Sequence, residues 1–367
     1  MAVKNHSGPS PLKVAIIGGG PGGLGAAIEF GKLNYVDWSL YEKKSQISET
    51  GGGISLQRHT WRLLELNGAA RNIDPLDFFR SPDGTSGQSR NGRTGKLLEQ
   101  HHHPKDTPPQ QFVRSYAFPE HKIKYNGQSA YRTIIHKPTA EKIEGIPKSP
   151  VFWQNIGGKY VFTCPLGGDD FEVTARIRRP IEGQEHVSWG RPFDFSTIAS
   201  EYDEFCEPVR KVIQLAAQGE TQEFALFSGP RLESVVHEEA IALIGDASHP
   251  LSGAFGAGAG FALEDVYALT QSVDWHWNNG GDLSAALELY DQIRSPHYRD
   301  LYKVLDDFGA MNTTLLSENL PVNEEIEERV RRAAESKSTW MYHYEIDKAV
   351  EKLLGAANQH GQVAAVL

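Results

Sequence analysis

The chain begins with a strand, helix and strand pattern of apolar residues. Residues 14–17 form a short apolar run with the length and the β-branched content of a buried parallel strand. A helical spacing of apolar residues follows over 24–33, and a second strand-like run follows over 36–41. These three segments predict one βαβ unit.

The middle of the chain, residues 122–190, changes to short runs of aromatic and β-branched residues. Breaks such as "NIGGK" and "LGGDD" separate the runs, and this pattern predicts an antiparallel sheet. Within "SAYRTII", the period of two places Ala130 and Arg132 on one face of a strand and Tyr131 and Thr133 on the other.

The last third of the chain returns to strand and helix patterns. Residues 240–244 are predicted to form another buried strand, which ends at Gly245 and Asp246. A helix with apolar residues at helical spacing follows. Two charged helical stretches over 324–337 and 345–355 come last, and we expect this tail to pack on the protein or to form a homodimer contact.

Glycines follow the first predicted strand at the spacing of a dinucleotide-binding turn. Gly18, Gly20 and Gly23 fit GxGxxG, and Glu42 stands 19 residues after Gly23. One glycine makes the turn, one lets the backbone approach a pyrophosphate, and one lets the helix pack on the strand. A carboxylate at position 42 suits a ribose hydroxyl and disfavours a 2′-phosphate, so this motif favours FAD or NAD over NADP.

A second glycine cluster follows the predicted strand over 240–244. Asp246 ends the strand and is predicted to face a ligand hydroxyl, because ligands bind beyond the carboxyl ends of the strands in such sheets. The helix start that follows offers a second anion site, formed by Gly256, Ala257, Gly258 and Ala259. Two phosphate-binding helix starts on one chain suit FAD better than NAD.

The composition narrows the class of partner. A formal net charge of -10 and a pI near 5.8 disfavour nucleic acid and anionic membranes, and a small molecule is the expected ligand. The two cysteines build no disulfide framework, and the polar first residues contain no apolar leader, so we expect a cytoplasmic protein. The histidines over 101–103 lack the spacing of a defined metal site, and no metal is expected.

Eight segments of the chain together resemble the FAD-dependent aromatic hydroxylases of the para-hydroxybenzoate and salicylate hydroxylase type, especially fungal monooxygenases. They cover most of residues 12–300 and read "VAIIGGGPGGLGAAIEF", "LYEKK", "TGGGISLQRHTWRLLELNG", "SAYRTII", "KYVFTCPL", "ALIGDASHP", "GAGAGFALED" and "LSAALELYDQIRSPH". The resemblance implies that NAD(P)H and dioxygen serve to hydroxylate a phenolic, salicylate-like or aromatic polyketide substrate, as in secondary metabolism. It adds Gly53 to the FAD-binding residues, while Gly253 stands where such proteins usually have a proline.

Two residues of the middle sheet are candidates for the catalytic site. By the resemblance, Arg132 corresponds to an arginine that anchors a phenolate or carboxylate, and a guanidinium makes a fixed two-pronged contact with such an anion. An ordinary strand arginine is the alternative. Tyr160 stands near the place of a tyrosine that partners this arginine, and the alternative is a half-buried strand tyrosine.

The resemblance also indicates an internal deletion, because a piece that such proteins carry is absent between Gln111 and Phe112. That piece would supply an arginine to the flavin, Asp-Gly contacts to the FAD pyrophosphate, and at least one strand of the central sheet. Two alternatives stand beside the monooxygenase. Gly253 leaves open a flavin oxidoreductase without oxygen insertion, and the missing piece leaves open a truncated, non-catalytic relative.

The expected fold is α/β, with a discontinuous Rossmann-like FAD-binding domain, an antiparallel-sheet substrate domain and C-terminal helices. The expected boundaries are 1–111 and 228–310 for the two parts of the FAD-binding domain, 112–227 for the substrate domain and 311–367 for the helical tail.

Overall fold

The protein is described by a computed structural model. It describes residues 11–43, 56–74, 76, 79–102, 124–179, 189–228, 231–249, 251, 258–335 and 338–364. The predictions for Gly53, Gly253, Gly256 and Ala257, and for the junction of Gln111 with Phe112, lie outside these residues.

The predicted βαβ unit is present at the N-terminal end. Strand β1 (Leu12–Ile17) leads into helix α1 (Pro21–Phe30), which returns to strand β2 (Val36–Tyr41). The two strands pair in parallel, from Leu12 beside Val36 to Ile17 beside Tyr41. One face of this strand pair packs into a core with α1 and the long C-terminal helices.

The other face of this strand pair is not buried, so the expected full burial of β1 is wrong for half of its residues. Ala15 is exposed, and Ile17 and Tyr41 keep 53% and 57% of their surface. Within the described residues, β1 pairs with β2 alone. A parallel strand is normally covered on both faces and paired on both edges, whereas β1 is covered on one face and, among the described strands, is paired on one edge.

A larger sheet of eight strands fills the middle of the molecule, in the order β4-β3-β6-β7-β8-β5-β10-β9. All neighbours run antiparallel except β3 and β6, which confirms the predicted antiparallel sheet. Its strands are β3 (Thr85–Asn91), β4 (Leu97–His102), β5 (Lys124–His136), β6 (Val151–Gln154), β7 (Tyr160–Pro165), β8 (Asp170–Arg178), β9 (Trp189–Phe193) and β10 (Thr221–Ser228).

One face of the large sheet packs on its own core. Helix α3 (Lys137–Ala140) follows β5, and helix α4 (Glu207–Ala216) lays an apolar face against the sheet. Trp153 and Phe171 are fully buried there, and the Trp153 indole donates a 2.9 Å hydrogen bond to Thr163 Oγ1. Burial of an aromatic side chain of this size stabilises the fold by about 1.5–3 kcal/mol.

Helices make up most of the described chain from Gly258 onward. They are α5 (Gly258–Asn278), α6 (Leu283–Ser317), α7 (Val322–Glu335) and α8 (Ile346–Ala364), while α2 (Arg58–Asn67) joins from the N-terminal part. The two charged helical stretches predicted for the tail coincide with α7 and α8. No described helix combines the length and the apolar character that a bilayer crossing requires.

The strand expected over 240–244 is mostly absent, and that prediction is wrong. A two-residue strand β12 (Ile241–Ala242) pairs antiparallel with β11 (Val236–His237), and Ile241 keeps 40% of its surface. A strand forms fully only where another strand satisfies its backbone groups. No described strand lies between β12 and β1 to do so.

Candidate functional site

The first corner of the site is the glycine turn between β1 and α1. Gly18 has a φ of 103°, a conformation that L side chains rarely adopt, and its N–H donates a 2.7 Å hydrogen bond to the Tyr41 carbonyl. A Cβ on Gly23 would lie 1.8 Å from the Gly18 carbonyl oxygen. Only glycine at position 23 therefore lets α1 start this close to the strand.

A carboxylate stands beside this turn, at the end of β2. Glu42 Oε2 accepts a 2.7 Å hydrogen bond from the Gly19 N–H. The first N–H groups of a helix have no partner within the helix and carry a partial positive charge. The corner thus combines anion-binding backbone groups with an acceptor for hydroxyl groups.

The second corner is the turn over 245–247. Gly245 has a φ of 60°, and its carbonyl accepts hydrogen bonds from the N–H groups of Ser248 (2.9 Å) and His249 (3.0 Å). Asp246 is half-buried within the turn, and its Oδ1 lies 3.8 Å from the position that a Cβ on Gly258 would take. Asp246 is therefore beside the N-terminal end of α5.

The two corners are neighbours in space. A Cβ on Gly22 in α1 would lie 3.4 Å from Ile244 Cδ1 and 3.5 Å from Ala262 Cβ in α5. The structure thus brings together Gly18, Gly20, Gly23 and Glu42 at one corner and Asp246, Gly258 and Ala259 at the other. A pyrophosphate and a ribose would find helix starts and carboxylates here.

A buried polar cluster lies behind the second corner. Asp265 on α5 is fully buried, and its carboxylate contacts Arg294 Nε at 2.7 Å and His249 Nε2 at 3.0 Å. The Tyr298 hydroxyl also donates to it. Burial opposes ionisation of Asp265, but the Arg294 charge, with His249 and Tyr298, lowers its pKa below the ordinary value. Asp265 is therefore ionised at neutral pH.

The neighbouring carboxyl group behaves in the opposite way. Glu264 is also fully buried, and burial raises its pKa to about 8 although Arg294 Nη2 lies 2.9 Å away. His59 and His297 lie 3.6 Å and 3.7 Å from it. Burial, followed by the Arg294 charge, lowers the pKa of His297 well below its usual value. The cluster thus holds one ionised and one protonated carboxyl group at neutral pH.

The two predicted catalytic residues lie on the half-exposed face of the large sheet. Arg132 on β5 stands opposite Thr174 on β8, and Tyr160 on β7 stands opposite Arg176 on β8. The register confirms that Ala130 and Arg132 share this face, while Tyr131 and Thr133 are buried on the other. Arg132 and Tyr160 share this face, with strand β8 between them and a register offset of two positions.

Each predicted catalytic residue has a partner within the protein. Arg132 Nε lies 3.1 Å from Glu172 Oε1, and the Thr174 hydroxyl donates to the same oxygen at 2.7 Å. The Tyr160 hydroxyl accepts a 3.3 Å hydrogen bond from Arg176 Nη1. Both side chains are therefore fixed in orientation.

Aromatic rings surround these guanidinium groups. Arg132 lies over the Phe224 ring at 5.1 Å, Arg176 lies over the Tyr160 ring at 5.5 Å, and Phe152 contacts Tyr160 edge-on at 5.5 Å. A surface with two cations beside several rings can bind a planar aromatic anion by stacking and charge.

Sequence reasoning missed several residues of both regions. Glu172 and Arg176 alternate along "FEVTARIR" with the period of one strand face, and this signal could have joined them to Arg132. Asp265 and Arg294 carry no local signal beyond a charged residue at an apolar helical position. His249 lies in the loop segment "ALIGDASHP" with no local signal of a buried partner, and it is fully buried against Asp265.

Comparison with known proteins finds sequence similarity to a hydroxylase and to a quinolone synthase. No protein-family model matches the chain. Salicylate hydroxylase from Pseudomonas putida is 30% identical over 246 aligned positions, which cover 61% of this chain and 52% of that protein. The chain thus spans about half the length of this relative. The 2-heptyl-3-hydroxy-4(1H)-quinolone synthase of Pseudomonas aeruginosa is 23% identical over 321 positions, with coverage of 71% and 80%.

Solved structures show the same fold. A salicylate hydroxylase substrate complex superposes with a TM-score of 0.74 at 19% identity, covering 95% of this chain and 98% of that one. HpxO of Klebsiella pneumoniae, complexed with FAD and uric acid, gives 0.64 at 16% identity, with coverage of 92% and 97%. The chain therefore shares its fold with these solved structures, and part of its sequence is similar to salicylate hydroxylase.

Proposed function

We propose that the protein is a FAD-dependent monooxygenase that hydroxylates a small phenolic or aromatic acid with NAD(P)H and dioxygen. The observation that carries the proposal is the adjacency of two glycine corners, each with a helix start and a carboxylate. The fold and the sequence relatives support the same activity.

The residues present fit FAD. The close approach of α1 to the Gly18 carbonyl leaves room only for glycine at position 23, as a turn beneath a pyrophosphate requires. Glu42 and Asp246 would accept hydrogen bonds from ribose and ribityl hydroxyl groups, and Gly258 and Ala259 would face a phosphate or the flavin. When bound, FAD supplies hydride acceptance from NAD(P)H and activation of dioxygen.

The sheet face with Arg132 and Tyr160 is proposed as the substrate side. Arg132 and Arg176 together outweigh the charge of Glu172, so the face favours an anion such as a phenolate or carboxylate. The Phe224 and Phe152 rings would contact the aromatic part of the substrate. Arg132 would orient the substrate, and Tyr160 would donate a hydrogen bond to it.

The domain division expected from the sequence stays part of the proposal. In the structure, β3 and β4 pair into the large sheet although they precede residue 112. The substrate side would therefore receive strands from both sides of the junction of Gln111 with Phe112. The helical tail stays a candidate homodimer contact.

A truncated, weakly binding relative is the second candidate. The alignment with the quinolone synthase is 321 positions long. It includes 71% of the 367 residues of this chain, or about 260 residues. About 60 aligned positions of the synthase therefore have no counterpart in this chain. The exposed face of β1 and β2 is consistent with the loss of a segment that would otherwise cover it. A third candidate, a flavin oxidoreductase without oxygen insertion, shares the cofactor residues.

One experiment separates the three candidates. The purified protein is incubated with excess FAD, dialysed and examined for flavin absorbance, and NADH and NADPH oxidation is then followed with and without salicylate and other phenolic acids. Bound flavin, phenol-stimulated oxidation and a hydroxylated product are expected. Oxidation without a hydroxylated product would select the oxidoreductase, and absence of bound flavin would select the truncated relative.

A matched pair of variants tests the substrate side. Arg132→Gln is expected to raise the KM for an aromatic acid by about tenfold or more, the worth of a charge-assisted hydrogen bond. FAD affinity is expected to stay unchanged. Arg331→Gln on α7, an exposed arginine that pairs with Glu328 and Glu335, is the control. Equal KM values for the two variants would show that Arg132 does not bind the substrate.

A further inference from the structure

The turn that carries Asp246 is fastened to the molecule by one carboxylate. Asp265 Oδ2 accepts a 2.7 Å hydrogen bond from the Gly245 N–H, at the first residue of the turn. The same oxygen lies 3.0 Å from His249 Nε2, just after the turn. Asp265 therefore contacts the chain on both sides of Asp246.

The carboxylate is itself fixed from behind. Asp265 Oδ1 accepts hydrogen bonds from Arg294 Nε at 2.7 Å and from the Tyr298 hydroxyl, both on α6. The Tyr298 hydroxyl also accepts a 3.1 Å hydrogen bond from Arg294 Nη2, and its ring stacks on His249 at 4.4 Å. Asp265, Arg294 and His249 are fully buried, and Tyr298 is nearly so, so water does not compete for these bonds.

Asp265 lies on the same helix, α5, whose N-terminal end is beside Asp246. The helix begins at Gly258, which adjoins Asp246, and Asp265 follows two turns later on the same rigid element. The helix thus sets the distance between its own N-terminal end and the turn. A change at Asp265 would let Asp246 move relative to that helix start, although Asp265 itself lies behind the turn.

We propose that Asp265 is a positioning residue that holds Asp246 and the start of α5 in the geometry required for cofactor binding. The inference rests on the proposed function, because it concerns the FAD site. Asp265 acts through the Gly245 N–H and His249 and does not contact the cofactor itself. Arg294 and Tyr298 act one step further away, by fixing the carboxylate.

The first test compares FAD affinity with stability in four proteins. Asp265→Asn is expected to raise the FAD Kd by about tenfold or more, since a buried hydrogen bond to a charged group is lost. Tyr298→Phe keeps the carboxylate and the Gly245 bond, and it is expected to raise the Kd by about fivefold. Val350→Ala on α8, in the same core, is the control that lowers the melting temperature and leaves the Kd unchanged.

A second readout does not need the cofactor. In the FAD-free protein, Asp265→Asn is expected to speed hydrogen exchange at the amides of Gly245 and His249, and Val350→Ala is expected to leave their relative protection unchanged. Faster exchange together with weaker FAD binding supports the positioning role. If the FAD Kd rises in proportion to the loss of melting temperature in all three variants, including Val350→Ala, the positioning role is overturned and Asp265 has only a structural role.

The outcomes also separate the inference from the proposed function. If the wild type takes up FAD and both Asp265→Asn and Tyr298→Phe bind it as tightly, Asp265 is not a positioning residue while the proposed function stands. If Asp265→Asn does not fold, Tyr298→Phe decides the question. If the wild type takes up no FAD, the proposed function fails, and unchanged exchange at Gly245 and His249 then rejects the fastening of the turn as well.

Discussion

The large sheet and the parallel pair β1 and β2 differ in how many strands they pair and in how much of their surface is buried. The large sheet pairs eight strands in one layer and buries one face against α3, α4 and its own aromatic core. The parallel pair β1 and β2 carries the glycine turn, but Ile17 and Tyr41 on its outer face stay more than half exposed. The glycine corner is therefore locally well formed while the sheet beneath it is only half covered.

This difference indicates where the stability of the molecule lies. The core of the large sheet does not depend on a ligand, whereas the two corners are held by packing between α1 and α5 and by the Asp265 cluster. A ligand that binds only the folded state adds stability in proportion to the logarithm of its concentration over its Kd. FAD is therefore expected to stabilise the corner side more than the large sheet.

The largest effect is expected in the large sheet. Phe171→Ala removes a fully buried ring and should lower the free energy of unfolding by about 3–5 kcal/mol, measured by urea denaturation. Phe152→Ala on the other face, where the ring is 38% exposed, is the control and should cost much less. Similar losses for both variants would mean that the two faces of the sheet are covered equally in solution.

The next effect concerns the glycine corner. Gly23→Ala places a Cβ 1.8 Å from the Gly18 carbonyl oxygen, so the turn must open. Unfolding should become easier by about 1–3 kcal/mol, and FAD affinity should fall by about tenfold or more. Gly87→Ala in β3, whose Cβ would lie 3.9 Å from the nearest atom, is the control. Unchanged FAD affinity in Gly23→Ala would separate the turn from the cofactor.

The buried cluster predicts a dependence on pH. Glu264 has a pKa raised to about 8 in the folded state, so its contribution to stability is complete below about 4.5 and is lost as the pH rises to 8. His297, whose pKa is lowered, opposes this trend up to about pH 6.5. Between pH 6.5 and 8 the wild type should therefore lose about 2 kcal/mol of unfolding free energy.

The matched variant for this prediction is Glu264→Gln. It keeps the size of the side chain and removes the titrating group, so its unfolding free energy should stay flat over the same range. Urea denaturation at several pH values measures both proteins. Parallel curves would show that Glu264 is already ionised in the folded protein at pH 6.5.

The smallest effect is expected on the open face of β1. Ile17→Ala should change the free energy of unfolding by about 0.5 kcal/mol or less, because Ile17 is 53% exposed. Its neighbour Ile16 is 5% exposed and points into the core, and Ile16→Ala should cost about 2–5 kcal/mol. If both substitutions lower the free energy of unfolding equally, the outer face of β1 is buried in solution, and the two sheets do not differ in burial.

The parts that the sequence predicted correctly are those set by neighbours along the chain. The βαβ unit over β1, α1 and β2 follows from apolar periodicity and glycine spacing, and both are local. The faces of β5 were also correct, because alternation along one strand fixes which of Arg132 and Tyr131 points outward.

The parts that the sequence could not predict depend on distant partners. Residues 240–244 have the composition of a buried strand, but a strand needs neighbours across the sheet, and the local pattern does not show whether they exist. The pairing of Arg132 with Glu172 joins residues 40 positions apart through the register of two strands. The Asp265 cluster likewise joins α5, α6 and the turn after β12.

The open edge of β1 has a consequence for handling the protein. Among the described strands, none pairs with the outer edge of β1. A row of unpaired backbone donors and acceptors at a sheet edge is a template on which another chain can add, and an apolar side chain such as Ile17 favours that addition. Self-association through this edge grows with protein concentration and competes with refolding. Dilute conditions with FAD present from the start are therefore expected to give the highest yield of unassociated, folded protein.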